Sequence, residues 1–401
     1  MSLAPSRFNS RSTRSHHLHA AILALLALSI ASSQLRAAPP ASPEIDAALQ
    51  PFVAKNTLAG AVAVVADKDK LLSLNTVGFA DIAAKQAMPA DAMFWIASQT
   101  KAITGAGLMI LVDEGKVKLD DPIEKFLPEF KDLWLTDKRD ANQLTLKRPA
   151  SKVTVRQIMS HTSGMAFKSA IEDPTLDMLY LRDAVRSYAM TPLLHEPGSK
   201  YLYSNCGINT GGRIIEVVSG MPYEEFMEKR LFAPLGMKDT SFWLTEEQAK
   251  RLAKTYRPNA AKDGLEETKI GYLHYPFTDR RRQPMPGGGL FSTATDVARF
   301  CQMVLSKGTF EGKKILSPDA VAAMTSKQTG DEVKDGYGVG FSVSGAHVGH
   351  GGALATNMNI DTKRGLITVW LVQHAGFPGD GGKAQGAFRH VAETQFDKTA
   401  R

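Results

Sequence analysis

Two rhythms of apolar positions run along this chain, and the points where one yields to the other mark its organisation. Residues 44–55 carry Ile45, Leu49, Phe52 and Val53 at helical spacing. The apolar runs 60–66 and 71–77 then flank the charged turn Asp67-Lys68-Asp69-Lys70, a pattern that predicts a hairpin. Across 94–115 the spacing of Ile103, Leu108, Met109, Leu111 and Val112, stopped by Gly115, predicts a helix. From about 116 to 300 the strand signals lapse. Helical stretches at 155–160, 183–188, 211–219, 223–231 and 293–305 are joined by Pro, Gly and Asp turns, including one at Gly287-Gly288-Gly289. Strand patterns return at 339–344, 347–350, 355–361 and 366–372, ahead of a closing helix at 383–396.

Strands at both ends with helices between them predict an α+β fold. Residues 45–115 and 301–401 are expected to build one mostly antiparallel sheet flanked by helices, and residues 116–300 an inserted, mainly helical lobe. The border between the two falls near residue 98, and such borders are where pockets form.

Composition refines this picture. The 401 residues, 43% hydrophobic and 22% charged, suit a globular protein of about two packed units. The formal charge of +7 includes Arg7, Arg11, Arg14 and Arg36 in the acid-free first 37 residues, and without them the surplus falls to +3. So small and dispersed a surplus argues against nucleic-acid binding. Residues 1–37 read as a signal peptide, with a basic start, an apolar stretch over 20–30 and a small residue, Ala37, at the expected cut. An uncut N-terminal anchor is the alternative, although the stretch is short for a membrane span. Residues 38–44, with Pro39, Pro40 and Pro43, read as a linker. The working protein is therefore expected in the periplasm or outside the cell, with no stable membrane span after cleavage. Cys206 and Cys301 form neither a disulfide framework nor a metal set, and both are expected free and buried.

The chemistry centres on Ser98-Gln99-Thr100-Lys101, the sole Ser-x-x-Lys tetrad in the chain. A serine hydroxyl needs a base to become a nucleophile, and a lysine three residues on lies on the same helix face. The tetrad also stands in an apolar context, between Phe94-Trp95-Ile96-Ala97 and Ala102-Ile103, unlike a solvated helix cap. Tyr203-Ser204-Asn205 is either an ordinary turn or a proton shuttle: a neighbouring ammonium favours an ionised Tyr203 phenol, with Asn205 orienting lysine and substrate amide. Tyr201 is the rival tyrosine but lacks an asparagine two residues on. His350-Gly351-Gly352 is either a bare strand end or an edge that a substrate approaches closely at Gly352. On the second reading the amides of Ser98 and Ala353 form an oxyanion hole.

Competing motifs fail. There is no Gly-x-Ser-x-Gly elbow, no His-Glu-x-x-His, and Gly382-Lys383 lacks the context of a phosphate loop. His161, in His161-Thr162-Ser163-Gly164, reads as a structural histidine at a turn rather than a catalytic base. Arg280-Arg281-Arg282 reads as a solvated loop rather than a site for an acidic substrate.

In order and spacing, Ser98-x-x-Lys101, Tyr203-x-Asn205 and His350-Gly351-Gly352 resemble the three motifs of the class C β-lactamase and D-Ala-D-Ala peptidase superfamily, which also contains many esterases. Met159-Ser-His-Thr-Ser-Gly-Met165, Leu231-Phe-Ala-Pro-Leu-Gly-Met237 and Gly287-Gly-Gly-Leu-Phe-Ser-Thr-Ala294 look similar too, so the resemblance runs from about residue 45 onward. It implies that Ser98 forms an acyl-enzyme, that Lys101 and Tyr203 share the general-base work, and that neither metal nor cofactor takes part. One departure stands out. Many β-lactamases of this family have lysine where His350 stands, and a histidine is charged only part of the time near neutrality. The separate deacylating glutamate of the class A signature has no counterpart.

The expected activity is cleavage of an amide or ester, with β-lactams or D-amino-acid peptides slightly ahead. A carboxylesterase using the same site, and a non-catalytic protein that binds cell-wall peptides, are the alternatives. The expected partner is a small-molecule or peptide substrate.

Overall fold

The N-terminal hairpin forms as its pattern predicts. In the computed structural model, which describes residues 39–173 and 175–397, β1 (Gly60–Ala66) pairs antiparallel with β2 (Leu71–Asp81), and β2 with the short β3 (Gln86–Ala87). The late strands β4 (Ser342–Ser344), β5 (His347–Gly351), β6 (Asn357–Asp361) and β7 (Leu366–Leu371) join the same antiparallel sheet in the order β4-β5-β6-β7-β1-β2-β3. Strands from opposite ends of the sequence are thus neighbours, with Val64 opposite Val369. The mostly antiparallel α+β sheet built from both chain ends is the observed architecture.

Helices α1 (Pro43–Ala54), α2 (Thr100–Asp113), α3 (Asn205–Ser219), α4 (Ala294–Leu305) and α5 (Ala384–Phe396) surround the sheet or lie beside it. Every residue of β1 is buried, because both faces of the sheet are covered. Ala61, Ala63 and Val65 pack with Trp370 against Ile45 and Leu49 of α1 and Phe388 of α5. Val62 and Val64 turn the other way, into a cluster with Val369 and with Val297, Phe300 and Cys301 of α4. That is the two-residue period of a strand sandwiched between layers. Helix α2 is buried on all sides from Thr100 to Leu111, so it is a core helix rather than a surface one. Cys206 and Cys301 are free and buried.

Several boundaries differ from the sequence reading. The helix expected from residue 94 starts later: Phe94–Trp95 is a short strand paired with Phe291–Ser292, a 3-10 turn spans Ala97–Gln99, and α2 begins at Thr100. The break lies at Ala97, whose φ of 47° no right-handed helix accommodates. Helix α3 begins well before residue 211, at Asn205, where the Ser204 hydroxyl accepts the Gly207 amide. Within 116–300 two hairpins were not foreseen, Leu135–Arg139 with Leu144–Lys147 and Thr255–Pro258 with Leu265–Thr268. Their strands are short and mostly polar, with the cross-strand charge pairs Lys147–Asp137 and Arg257–Glu266, so any apolar alternation is too brief to announce them. Helix Pro318–Thr325 was also missed.

From Pro40 onward the described chain is one compact unit. The proposed signal, 1–37, lies outside the described residues. Among the described residues no helix is long and apolar enough to cross a membrane.

Candidate active site

The three motifs meet beside one another. The 3-10 turn before α2 presents Ser98, and the first turn of α2 carries Lys101 beneath it, fully buried, with Nζ 3.0 Å from Ser98 Oγ. The strained left-handed backbone of Ala97 aims the serine into a cavity of about 300 Å³. Burial pulls the Lys101 pKa down to about 7, since an ammonium loses its hydration there. Its second partner is the Gly287 carbonyl, at 2.5 Å.

Tyr203 stands just before the Ser204 cap of α3, with its ring 4.8 Å from Lys101 Nζ. Burial pushes its phenol up to about 12, and a hydrogen bond with Ser98 acts the other way. The expected ionised phenol is therefore not the resting state. The buried lysine relieves its own burial by losing a proton, and a neutral amine stabilises no phenolate.

Asn205 is buried at the start of α3 and lines the cavity, and its Oδ1 has no hydrogen-bond partner. No hydrogen bond joins it to Lys101 among the described residues, so the lysine is oriented by the Gly287 carbonyl instead. The amide of the same glycine is held by a residue the sequence reading overlooked. Asn209, one helical turn beyond Asn205, accepts the Gly287 amide at 2.9 Å through Oδ1 and donates to the Tyr188 hydroxyl. Tyr188 in turn donates to buried Glu172 at 2.6 Å. The signal was the i, i+4 spacing of the two asparagines, which places both on one face of α3.

His350 differs most from expectation. Its ring is turned inward: Nδ1 donates to the Gly351 carbonyl at 2.6 Å, and Nε2 therefore accepts from the Tyr337 hydroxyl at 2.8 Å. Burial, aided by the Lys101 charge, lowers its pKa to about 3. The histidine is neutral at any physiological pH and is not a part-time positive charge for a substrate carboxylate. Gly351, Gly352 and Ala353 do line the cavity. A Cβ on Gly352 would lie 2.6 Å from the Ile96 carbonyl, so glycine is what lets this strand end close on the serine turn. Among the described residues, the amides of Ser98 and Ala353 take part in no internal hydrogen bond, and both residues face the cavity.

The remaining cavity wall is apolar and aromatic: Trp95, Phe167, Leu176, Tyr272 and Met285, with no arginine or lysine side chain among the lining residues. Arg282 is not the solvated loop residue expected. It is 1% exposed and pairs at 2.9 Å with Asp177, itself 1% exposed. Asp177 adjoins Leu176 and also accepts the His274 amide, so this buried pair pins both the Leu176 and the Tyr272 sides of the cavity. Arg280 and Arg281 line a separate open groove of about 1110 Å³ that contains none of the motif residues. His161 is buried beside Tyr203 and is not among the residues lining the cavity at Ser98.

Comparisons with known proteins bear on the family and the fold. The Beta-lactamase family profile matches residues 45–392. Protein Rv1367c of Mycobacterium tuberculosis is 33% identical over 352 residues, covering 79% of this chain and 86% of that one. Esterase EstB of Burkholderia gladioli is 28% identical over 290 residues, covering 66% and 70%. A Salmonella agona protein named as a D-alanyl-D-alanine carboxypeptidase is 28% identical over 279 residues, 64% of this chain and 60% of that one. Among solved structures, EstCE1, a hydrolase with promiscuous acyltransferase activity, superposes with a TM-score of 0.72 at 24% identity, over 87% of this chain and 97% of its own. This chain belongs to the Beta-lactamase family, a family of hydrolases that share this fold.

Proposed function

We propose that this protein hydrolyses carboxylic esters of neutral, apolar acids through an acyl-Ser98 intermediate. The observation that carries the reading is a fully buried lysine, held near neutrality, within hydrogen-bond reach of a serine that opens into an apolar cavity. The neutral Lys101 amine takes the Ser98 proton as Oγ attacks the ester carbonyl. The resulting oxyanion lies between the Ser98 and Ala353 amides. Collapse breaks the bond to the alkoxide, which receives its proton through Tyr203. Water then attacks the acyl-enzyme, its proton passing by way of Tyr203 to the Lys101 amine, and the bond from the acyl group to Ser98 Oγ breaks as Lys101 returns a proton to that oxygen. Asn205 Oδ1, unpartnered at the cavity wall, orients the acyl group or an amide on it.

Peptides and β-lactams ending in a carboxylate were slightly favoured by sequence, and a relative's name points that way. The wall offers that carboxylate no cationic side chain, and His350 is neutral, so esters take the lead. Export, read from residues 1–37, completes the proposal: mature protein from the periplasm or medium is expected to begin at Ala38.

The test is a parallel assay of a nitrophenyl butyrate, a chromogenic cephalosporin and a D-Ala-D-Ala peptide, using wild type and Ser98→Ala. The ester is expected to turn over at least tenfold faster than the others, and Ser98→Ala to lose about 10³-fold or more. Retained turnover in Ser98→Ala would remove the serine from the mechanism. Faster cleavage of the carboxylate substrates would return the reading to the peptidase class.

A further inference from the structure

We infer that His161 is the positioning residue for Tyr203, gripping the chain on both sides of the tyrosine. The backbone carbonyl of His161 accepts the Leu202 amide at 2.8 Å, and its ring Nδ1 accepts the Ser204 amide at 3.1 Å. One residue thus holds the Tyr201–Leu202 and Tyr203–Ser204 peptide groups, one on each side of Tyr203, and so limits the directions its side chain can take. The ring also packs on the tyrosine, with centroids 4.5 Å apart, and on Tyr337 at the same distance. Tyr337 is the hydroxyl that donates to His350, so the same buried cluster ties the tyrosine to the strand end at Gly351.

Two features make this more than ordinary core packing. His161 holds a left-handed backbone, φ 61°, a conformation that non-glycine residues adopt at a cost. That twist is what lets its carbonyl and its side chain reach the same short segment. The Nδ1 bond also requires one tautomer. Because Nδ1 accepts, the ring proton sits on Nε2, which is buried and has no hydrogen-bond partner among the described residues. A ring that leaves one polar atom unpartnered in order to accept one amide is arranged around that amide.

The inference rests on Tyr203 serving the acyl-Ser98 chemistry, and the experiment separates the two. His161→Asn keeps an acceptor near the Nδ1 position and suits the left-handed backbone. It is expected to keep kcat within about tenfold of wild type. His161→Gly also suits the backbone but removes the acceptor, and is expected to lose about 100-fold in kcat with KM within about threefold. In a Tyr203→Phe background, His161→Gly is expected to cost less than about threefold more, since there is no hydroxyl left to aim. Equal losses in the Asn and Gly variants, or an undiminished loss in the Tyr203→Phe background, would overturn the inference. Should the glycine variant fail to fold by circular dichroism, nitrogen-15 spectra of histidine-labelled wild-type protein decide instead. The resonance absent from His161→Asn must show an unprotonated, hydrogen-bonded Nδ1, and a proton on Nδ1 would sink the clamp. Near-normal activity of Tyr203→Phe alone would count against the proposed mechanism and leave the clamp to the spectra.

Discussion

At the scale of single residues, burial sets two protonation states in opposite senses at the candidate site. Lys101 is kept near the point of losing its proton and Tyr203 far from losing its own. The base must be unprotonated to act, so kcat/KM is expected to rise with pH to a half-maximum near 7. It should then stay flat beyond pH 9, because the tyrosine holds its proton to about 12. A pH–rate profile falling above pH 8 would contradict this. The same shift appears in stability. Between about pH 7 and 10.5 the unfolded lysine binds a proton that the folded one does not, so stability rises with pH across that window. The slope is about 1.4 kcal/mol per pH unit for that group. Compared with Lys101→Met, the wild type should therefore gain stability between pH 7 and pH 9. Denaturant melts at the two pH values measure the difference, and parallel changes in both proteins would refute the buried-lysine account.

At the scale of elements, the cavity is a meeting of ends. The 3-10 turn before α2, the N-terminus of α3, the glycine turn at 287–288 and the end of β5 each contribute one piece. The Asp177–Arg282 pair holds the outer wall against these ends. Removing one partner leaves a buried charge uncompensated, which costs about 3–5 kcal/mol. Asp177→Leu and Arg282→Met are each expected to lower stability by that much, and the double substitution by less than either. A urea-unfolding cycle showing additive losses would contradict a coupled buried pair. Ser98, Lys101 and Tyr203 were legible because their chemistry sits in short motifs with fixed spacing. The strands β1 and β7 were legible because both their faces are buried and so demand apolar runs. What stayed hidden were partnerships that local pattern does not encode. Arg282 looks solvated until Asp177 meets it from far along the chain. His350 looks like a part-time charge until Tyr337 and the Gly351 carbonyl hold it buried. The hairpins at 135–147 and 255–268 have short, mostly polar strands, too brief for an alternation to announce them.

At the scale of the whole molecule, α1 and α5 lie on one face of a sheet whose centre is the β1–β7 pair. Removing the chain after residue 361 deletes β7 and α5 and leaves β1 with an apolar, unpaired edge. Such a truncation is expected to aggregate rather than form a smaller folded protein, as size-exclusion chromatography would show. A soluble monomer with a cooperative melt would mean that the early strands and the helical region stand without the late ones.

That pairing also governs how the protein is made. β1 is among the first strands to leave the ribosome and β7 the last, so a nascent chain carries an all-apolar strand with no partner on one side until synthesis is nearly over. Pairings so distant in sequence close slowly. Gly352 and Ala353, which complete the cavity around Ser98, arrive in that same final stretch. A chain interrupted before them therefore lacks both the closed sheet and this wall of the cavity beside Ser98.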